Sequence, residues 1–141
     1  MTQEEKDLLL KDLCGRLPYG VKCYKITFKP ELAEEVICML RNGSHNCVQL
    51  GTFLYRLEHI KPYLFPLSSM TEEQREEFLN IQTEERQILL NALIEYKSGK
   101  YDKIPIIAPY KQIEWLNKNH FDYRDLIERG LAIDCTNLNI Y

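Results

Sequence analysis

The sequence lacks long apolar runs and an excess of basic charge. No apolar stretch approaches the ~18 residues that a membrane span requires, and the two longest, residues 36–40 and 104–108, have the length of buried core segments. The 141 residues carry 18 basic and 21 acidic side chains. Such a chain lacks the electrostatic footprint of a nucleic-acid-binding domain. We therefore expect no membrane partner, and nucleic acid is disfavoured as a partner.

Motifs that carry catalytic or cofactor chemistry are missing as well. The six glycines are scattered and form no loop that would cradle a phosphate. The sequence contains neither a Gly-x-Ser-x-Gly nucleophile elbow nor a His-Glu-x-x-His metal motif. Carboxylate pairs such as Glu72 with Glu76 lack the apolar surroundings that raise a pKa. The sequence thus predicts no catalytic residue and no cofactor, and it favours a protein that is not an enzyme.

The five cysteines are an odd number and include no Cys-x-x-Cys pair, which disfavours a disulfide framework. The acidic residues 2–5 (TQEE) differ from the basic start of a secretory signal. We therefore expect a cytoplasmic protein with reduced, buried thiols. Cys38, His45 and Cys47 lie around a predicted turn, but their spacing fits no structural zinc site. No metal is expected.

The first half of the chain predicts a helix followed by strands. Thr2 is a suitable cap for a helix whose apolar residues recur at three- and four-residue spacing up to Leu17. β-Branched and aromatic residues over 21–28 indicate a strand. Residues 31–40 fit either a helix or a buried strand. The hairpin-turn signal Asn42-Gly43 that follows favours the strand.

Further strands are expected on either side of a break at residues 51–52. Residues 47–50 fit the return strand of the hairpin, and residues 53–57 fit one further strand. Two prolines in residues 61–70 indicate a connector rather than a strand.

The second half predicts mainly helices. Thr71 and Gln74 form a capping box, and the helix that follows either runs from 72 to about 97 or kinks near 81–83. Pro105 limits residues 104–108 to an edge strand. The remaining elements are a helix after Pro109, a last short helix capped by Asp122, and a return strand over 131–135.

These elements predict an α+β fold, with an N-terminal helix and a small antiparallel sheet or open barrel followed by a helical C-terminal half. We expect a single domain over residues 1–141, in which 1–67 hold the helix and the sheet and 68–141 are mainly helical. Charge is uneven, because residues 1–70 carry 9 basic and 8 acidic side chains and residues 71–141 carry 9 and 13. The glutamates between 72 and 85 are typical of a solvated helix flank, although a docking face for a basic partner is the alternative.

Three blocks of the chain resemble a set of small proteins of uncharacterised function from gut anaerobic bacteria and their phages and mobile elements. The blocks cover about a third of the chain and are LLLKDLCGRLPYGV (8–21), IKPYLFPLSSMTEE (60–73) and WLNKNHFDYRDLIERGLA (115–132). Asp125 stands where that set more often has glycine. The resemblance implies a bacterial or phage setting inside a cell, and it assigns no catalytic or binding residue.

The segment from 115 to 124 is the most distinctive local pattern. It combines aromatic, amide and guanidinium groups, the side chains that binding hot spots use. The alternative is that its aromatic residues belong to the core. The candidate partner-binding residues are Trp115, Asn119, His120, Tyr123 and Arg124.

The sequence favours a non-enzymatic small binding or accessory protein of a bacterium or mobile element, with a protein as its partner. One alternative is a nucleic-acid-binding regulator that uses the sheet or the terminal helix pair, although Asp125 and Glu128 would face the phosphates. The other alternative is a small hydrolase without a recognisable motif, in which Cys23 pairs with His59 or His120.

Overall fold

The computed structural model describes residues 1–26, 33–42, 45–100 and 110–141, and within these ranges it contains three α-helices and seven β-strands. The helices are α1 (Gln3–Arg16), α2 (Glu72–Lys97) and α3 (Tyr110–Lys118). The strands are β1 (Lys22–Lys25), β2 (Glu34–Asn42), β3 (His45–Leu50), β4 (Phe53–Arg56), β5 (Ile60–Pro66), β6 (Phe121–Asp122) and β7 (Ile133–Asp134). The chain forms two compact units: the first comprises Met1–Ser69 and Leu116–Tyr141, and the second comprises Met70–Trp115.

Helix α1 begins at the predicted cap. The Glu5 amide donates to the Thr2 hydroxyl at 3.2 Å, and the Glu5 carboxylate accepts from the Thr2 amide at 2.6 Å. This reciprocal pair satisfies backbone donors that a helix start leaves without partners. Leu9 and Leu13 are fully buried on the inner face of the helix. The predicted N-terminal helix is confirmed.

The first unit holds a mixed sheet with the strand order β4-β3-β2-β1-β5-β6, and β7 also pairs with β5. The pairs along β4-β3-β2-β1-β5 are antiparallel, as predicted. Strands β6 and β7 run parallel to β5. The prediction of an antiparallel sheet therefore applies only to the first part of the chain. The C-terminal half, predicted to be mainly helical, contributes two strands to the sheet.

Strand β5 occupies the residues that the sequence predicted as a connector, so that prediction is wrong. Pro62 pairs with Cys23 of β1 and Pro66 pairs with Asp122 of β6. Proline lacks an N–H donor but keeps its carbonyl acceptor, and strands on both sides supply the remaining hydrogen bonds. Ile60 and Leu64 are fully buried in the core, which stabilises a strand that local propensity disfavours.

Of the ambiguous residues 31–40, residues 34–40 belong to strand β2, which confirms the favoured alternative. Strand β2 forms a hairpin with β3 in which Asn42 pairs with His45, and Gly43 of the predicted turn lies outside the described residues. The next hairpin joins β3 to β4 across Gly51 and Thr52, with Leu50 opposite Phe53. Gly51 has a φ of +56°, as a type II′ turn requires at its first central position.

The second unit contains α2 as one continuous helix, so the alternative with a kink near 81–83 is not observed. The predicted capping box is present, since the Gln74 amide donates to the Thr71 hydroxyl at 3.2 Å. Thr83 donates to the Leu79 carbonyl at 2.8 Å within the helix rather than capping a second one. The edge strand predicted over 104–108 lies outside the described residues.

The buried Glu85 of α2 caps the start of α3. Its carboxylate accepts from the Lys111 amide at 2.8 Å and from the Gln112 side chain at 2.7 Å. An acid at this position also offsets the positive end of the helix dipole. Glu85 is thus a structural residue, unlike the solvated flank predicted for the glutamates of this region.

The last short helix predicted after Asp122 is a series of turns instead. Asp125 interrupts any helix because its φ is +58°. Asp122 does act as the predicted cap, since its carboxylate accepts from the amides of Arg124, Leu126 and Ile127 at 3.2, 3.1 and 2.8 Å. Strand β7 confirms the predicted strand within 131–135.

The core of the first unit lies between α1 and the sheet. Its buried apolar residues come from α1, from five strands or their flanks, and from the C-terminal turns; they include Leu9, Leu13, Val21, Cys23, Val36, Val48, Leu50, Leu57, Ile60, Leu64, Leu126, Leu131 and Ala132. Among the described residues, none of the helices combines the length and the apolar character that a bilayer crossing demands.

We expect Asp125→Gly to be more stable than Asp125→Ala by about 0.5–1 kcal/mol, because only glycine adopts a positive φ without a Cβ penalty. Urea unfolding followed by circular dichroism measures the difference. Gly130→Ala is the matched control, because Gly130 has a φ of +69° and open space around its Cβ position. This change should lower the free energy of unfolding of the parent chain by about the same amount as separates the two Asp125 variants. Equal stability of the two Asp125 variants would show that φ carries no penalty here.

Candidate functional site

A fully buried ion pair lies between α1 and the C-terminal residues of the first unit. Arg16 donates from Nε to Asp12 Oδ2 at 2.7 Å and from Nη2 to Asp12 Oδ1 at 3.0 Å. The two residues are one turn apart on α1, so both side chains point the same way. The guanidinium also donates to the carbonyl of Phe121 at 2.7 Å and to that of Leu116 at 3.5 Å.

Polar side chains extend this ion pair toward the surface. Arg124 Nε lies 3.4 Å from Asp12 Oδ1, and Arg124 Nη2 donates to the Tyr123 hydroxyl at 3.1 Å. The Tyr123 hydroxyl donates in turn to Asn117 Oδ1 at 3.0 Å. Both guanidinium groups, Arg16 and Arg124, lie over the Tyr123 ring, which stabilises the cations through the ring face. We call these five residues the arginine cluster.

His120 lies beside the arginine cluster and is buried. Its ring stacks on Tyr141, with the ring centroids 3.8 Å apart and the planes inclined by 11°. Burial, with smaller contributions from the cations of Arg16 and Lys22, lowers the pKa of His120 to about 4. The imidazole is therefore neutral at physiological pH and is not poised as a general base near pH 7.

Tyr141 fixes the C-terminal residues against the sheet. Its hydroxyl accepts from the Lys22 amide at 2.9 Å and donates to the Tyr63 carbonyl at 3.1 Å. Lys22 Nζ donates to the Ile140 carbonyl at 2.6 Å. Burial raises the pKa of Tyr141, so the phenol stays protonated and continues to donate.

The five predicted partner-binding residues do not share one environment. Trp115 and His120 are buried, whereas Asn119, Tyr123 and Arg124 are half-buried. Within the second unit, the Trp115 ring lies 5.3 Å from the Phe78 ring. Tyr123 and Arg124 contact each other within the arginine cluster. The partner-binding role of these five residues stays a prediction. Only Asn119, Tyr123 and Arg124 are accessible enough to contact a partner.

In the hydrolase alternative from the sequence, Cys23 is the nucleophile, and the surroundings of the Cys23 thiol disfavour that role. Burial and the nearby Asp12 carboxylate raise the pKa of Cys23, which disfavours the thiolate that a nucleophilic cysteine needs. The Cys38 thiol donates to Gln49 Oε1 at 3.3 Å. Among the residues that the structure describes, no three His, Cys, Asp or Glu side chains gather as metal ligands.

A second candidate site, which the sequence did not indicate, lies at the edge strand β4. Phe53 and Leu54 are 66% and 47% exposed. They line a cavity of about 740 Å³, within the size range of ligand pockets. Among the described residues, the rest of the lining comes from the neighbouring strands and the turn and consists of Lys25, Glu34, Leu50, Gly51, Thr52 and Tyr55.

Over residues 1–26, 33–42, 45–100 and 110–141, one side of the β4 main chain has no paired strand. Within the described part of the chain, β4 pairs only with β3. Because Leu50 and Phe53 close a two-residue turn, they and the pair Val48–Tyr55 are hydrogen-bonded across the hairpin. The alternation of an antiparallel ladder then directs the N–H and C=O groups of Leu54 and Arg56 away from β3.

Charged side chains border the cavity. Lys25 of β1 forms an ion pair and a hydrogen bond with Glu34 of β2, and this bond raises the pKa of Lys25. The Lys25 ammonium also lies 5.3 Å from the centre of the Tyr55 ring. The cavity thus combines an apolar strand edge with a cation and an anion that already neutralise each other.

Comparison of the chain with protein-family models, with curated proteins and with solved structures gave no match.

We expect Arg16→Met to lower the free energy of unfolding by about 3–5 kcal/mol, because it leaves the Asp12 carboxylate buried without its main cation. Asp12→Leu should be similarly damaging, since it leaves Arg16 without its carboxylate. The double variant should lose clearly less than the sum of the two, and urea unfolding measures all three. Additive losses would contradict the coupling of the two charges.

Stability should fall on acidification through His120. Its ordinary pKa of 6.5 applies to the unfolded chain and the folded value is about 4, so the unfolded chain binds the proton first as the pH falls. The stabilisation is complete above the unfolded value and is lost toward pH 4. Between pH 7 and 5 the loss is about 2 kcal/mol.

The matched variant for this test is His120→Asn, because asparagine tolerates the φ of +58° at this position. Urea unfolding at pH 7 and pH 5 should show a smaller pH-dependent loss in the variant than in the parent chain. The same loss in both proteins would assign the acid sensitivity to other groups.

Proposed function

We propose that this chain is a non-enzymatic binding or accessory protein that holds an extended segment of a partner protein by adding it as a strand to β4. The observation that carries the proposal is that β4 pairs only with β3 among the residues the structure describes, and that its other side lies beside an open apolar cavity. Strand addition uses main-chain hydrogen bonds for affinity and pockets for alternate side chains for selectivity. Both components are present at the same edge.

The environment of the edge supports a peptide rather than a small charged metabolite. Phe53, Leu54 and Tyr55 supply an apolar and aromatic lining, and the cation of Lys25 is neutralised by Glu34. The fitting ligand is an extended segment with an aliphatic or aromatic side chain that enters the cavity. The peptide residues on either side of that side chain would pair through their main chain with the N–H and C=O groups of Leu54 and Arg56.

The chemistry of the other groups also favours binding over catalysis. The Cys23 thiol and the His120 imidazole are both held neutral by burial, and the arginine cluster is occupied with internal contacts. We place the protein in the cytoplasm of a bacterium or of a cell that carries a phage or mobile element. That setting rests on the resemblance of the three sequence blocks.

Arg56→Pro is the sharpest test of strand addition. Arg56 has a φ of −71°, which proline adopts without strain, and its N–H points away from β3. The change therefore removes an edge donor and leaves the β3–β4 ladder intact. Peptides selected from a displayed library of extended sequences should bind Arg56→Pro at least about tenfold more weakly, by fluorescence polarisation.

Arg56→Ala is the matched control because it removes the same side chain and keeps the N–H. We expect it to bind the selected peptides within about threefold of the parent chain. Equal binding by the proline variant, or a library that yields no binder, would contradict strand addition at β4. Amide hydrogen exchange provides a second measurement: the Leu54 amide should be protected only when the peptide is bound.

A further inference from the structure

Arg56 gives the last residue of β4 a positive charge that is only partly balanced. Its side chain is 51% exposed, and its Nη1 atom lies 3.9 Å from Glu58 Oε1, which is too far for a hydrogen bond. The other oxygen of Glu58 lies 3.2 Å from the Lys6 ammonium, and the hydrogen bond to Lys6 is the main reason why the pKa of Glu58 is lowered. Two cations therefore share one carboxylate at this end of the strand.

The turn end of β4 is balanced in charge. Among the described residues that line the cavity, Lys25 and Glu34 carry charge, and they form an ion pair with each other. The side chains of Phe53 and Leu54 at this end are apolar and exposed. The edge thus presents an apolar surface beside the cavity and a positive charge at Arg56, and a matching ligand carries an apolar group next to a negative one.

The alternation of side chains along β4 determines which ligand positions meet these groups. Tyr55 pairs with the buried Val48, so its side chain lies on the face of the sheet that contacts the core. Leu54 and Arg56 then lie on the opposite face, because successive side chains of a strand alternate. A strand added beside β4 places each of its side chains on the same face as the residue directly opposite. The ligand residue opposite Tyr55 therefore faces the cavity, and its neighbours face Leu54 and Arg56.

We propose that the segment bound by β4 has an acidic residue directly before the side chain that enters the cavity and an aliphatic residue directly after it. This inference rests on the strand addition proposed above and names the ligand class of the same edge. The segment runs antiparallel to β4, because antiparallel pairing is the more stable arrangement per residue and β4 already pairs in this way with β3. In that direction the residue opposite Arg56 comes first, the one opposite Tyr55 second and the one opposite Leu54 third.

The acidic residue contributes selectivity more than affinity. Opposite charges directly across two strands stabilise the pairing modestly and like charges destabilise it, while water and salt screen the half-exposed guanidinium. Main-chain hydrogen bonds and the apolar contact in the cavity supply most of the affinity. We therefore expect about a tenfold preference for an acidic over a basic residue at this one position.

The peptides that the parent chain selects from the displayed library test the pattern. An acidic residue should be enriched directly before a pair of apolar residues, the second of them aliphatic. Enrichment of the acid after the apolar pair would indicate a parallel strand and would overturn the proposed direction. Selected peptides without any preference for an acid would overturn the proposal as a whole.

Arg56→Glu tests whether Arg56 recognises the acidic residue. The probes are two synthetic versions of one selected peptide, with glutamate or lysine at the first position, and fluorescence polarisation measures their binding. The parent chain should bind the glutamate version about tenfold more tightly, and this ratio should shrink as sodium chloride is raised. Arg56→Glu should prefer the lysine version. The same preference in Arg56→Glu as in the parent chain would contradict the role of Arg56.

Lys118→Glu is the matched control for the change in net charge. Lys118 is exposed and directly precedes the region of β6, which lies at the opposite end of the strand order from β4. This variant should keep the preference of the parent chain, and its reversal there would assign the preference to net charge and overturn the proposal. A library without binders contradicts strand addition itself. Binders that Arg56→Pro weakens but that show no acidic preference overturn only the present inference.

Discussion

The Asp12–Arg16 ion pair is the constraint on which the first unit depends. Both side chains are fully buried, and a buried ion pair offsets the cost of its desolvation only when additional hydrogen bonds satisfy its donors and acceptors. The guanidinium meets this condition by donating to carbonyls about a hundred residues later, at Leu116 and Phe121. This single group therefore connects α1 to the C-terminal residues.

The position of the C-terminal residues then determines the character of the sheet. Phe121 lies at the start of β6, and the Phe65 amide of β5 donates to the His120 carbonyl at 2.9 Å. The parallel pairing of β6 with β5 is thus adjacent to the carbonyl that accepts from Arg16. The polar residues of this region, His120, Tyr123 and Arg124, contribute mainly internal contacts. The proposed binding edge β4 lies at the other end of the strand order.

Elements with strong local signals were predictable from the sequence, and those that rely on distant partners were not. The reciprocal caps at Thr2 and Thr71 need only residues three positions away. Strand β5 was missed because Pro62 and Pro66 oppose a strand locally, while its pairing with β1, β6 and β7 comes from elsewhere in the chain. The β4 site was missed because an edge is defined by the absence of a neighbouring strand, which depends on the strand order.

The sequence by itself determined the helix starts, the hairpins and a mixed helix-and-strand composition, because capping and turn formation are short-range. Only the tertiary structure decided which apolar residues remain exposed and which charges are buried. Burial depends on contacts between distant segments, so Arg16 and Glu85 resemble ordinary surface charges until their partners are known.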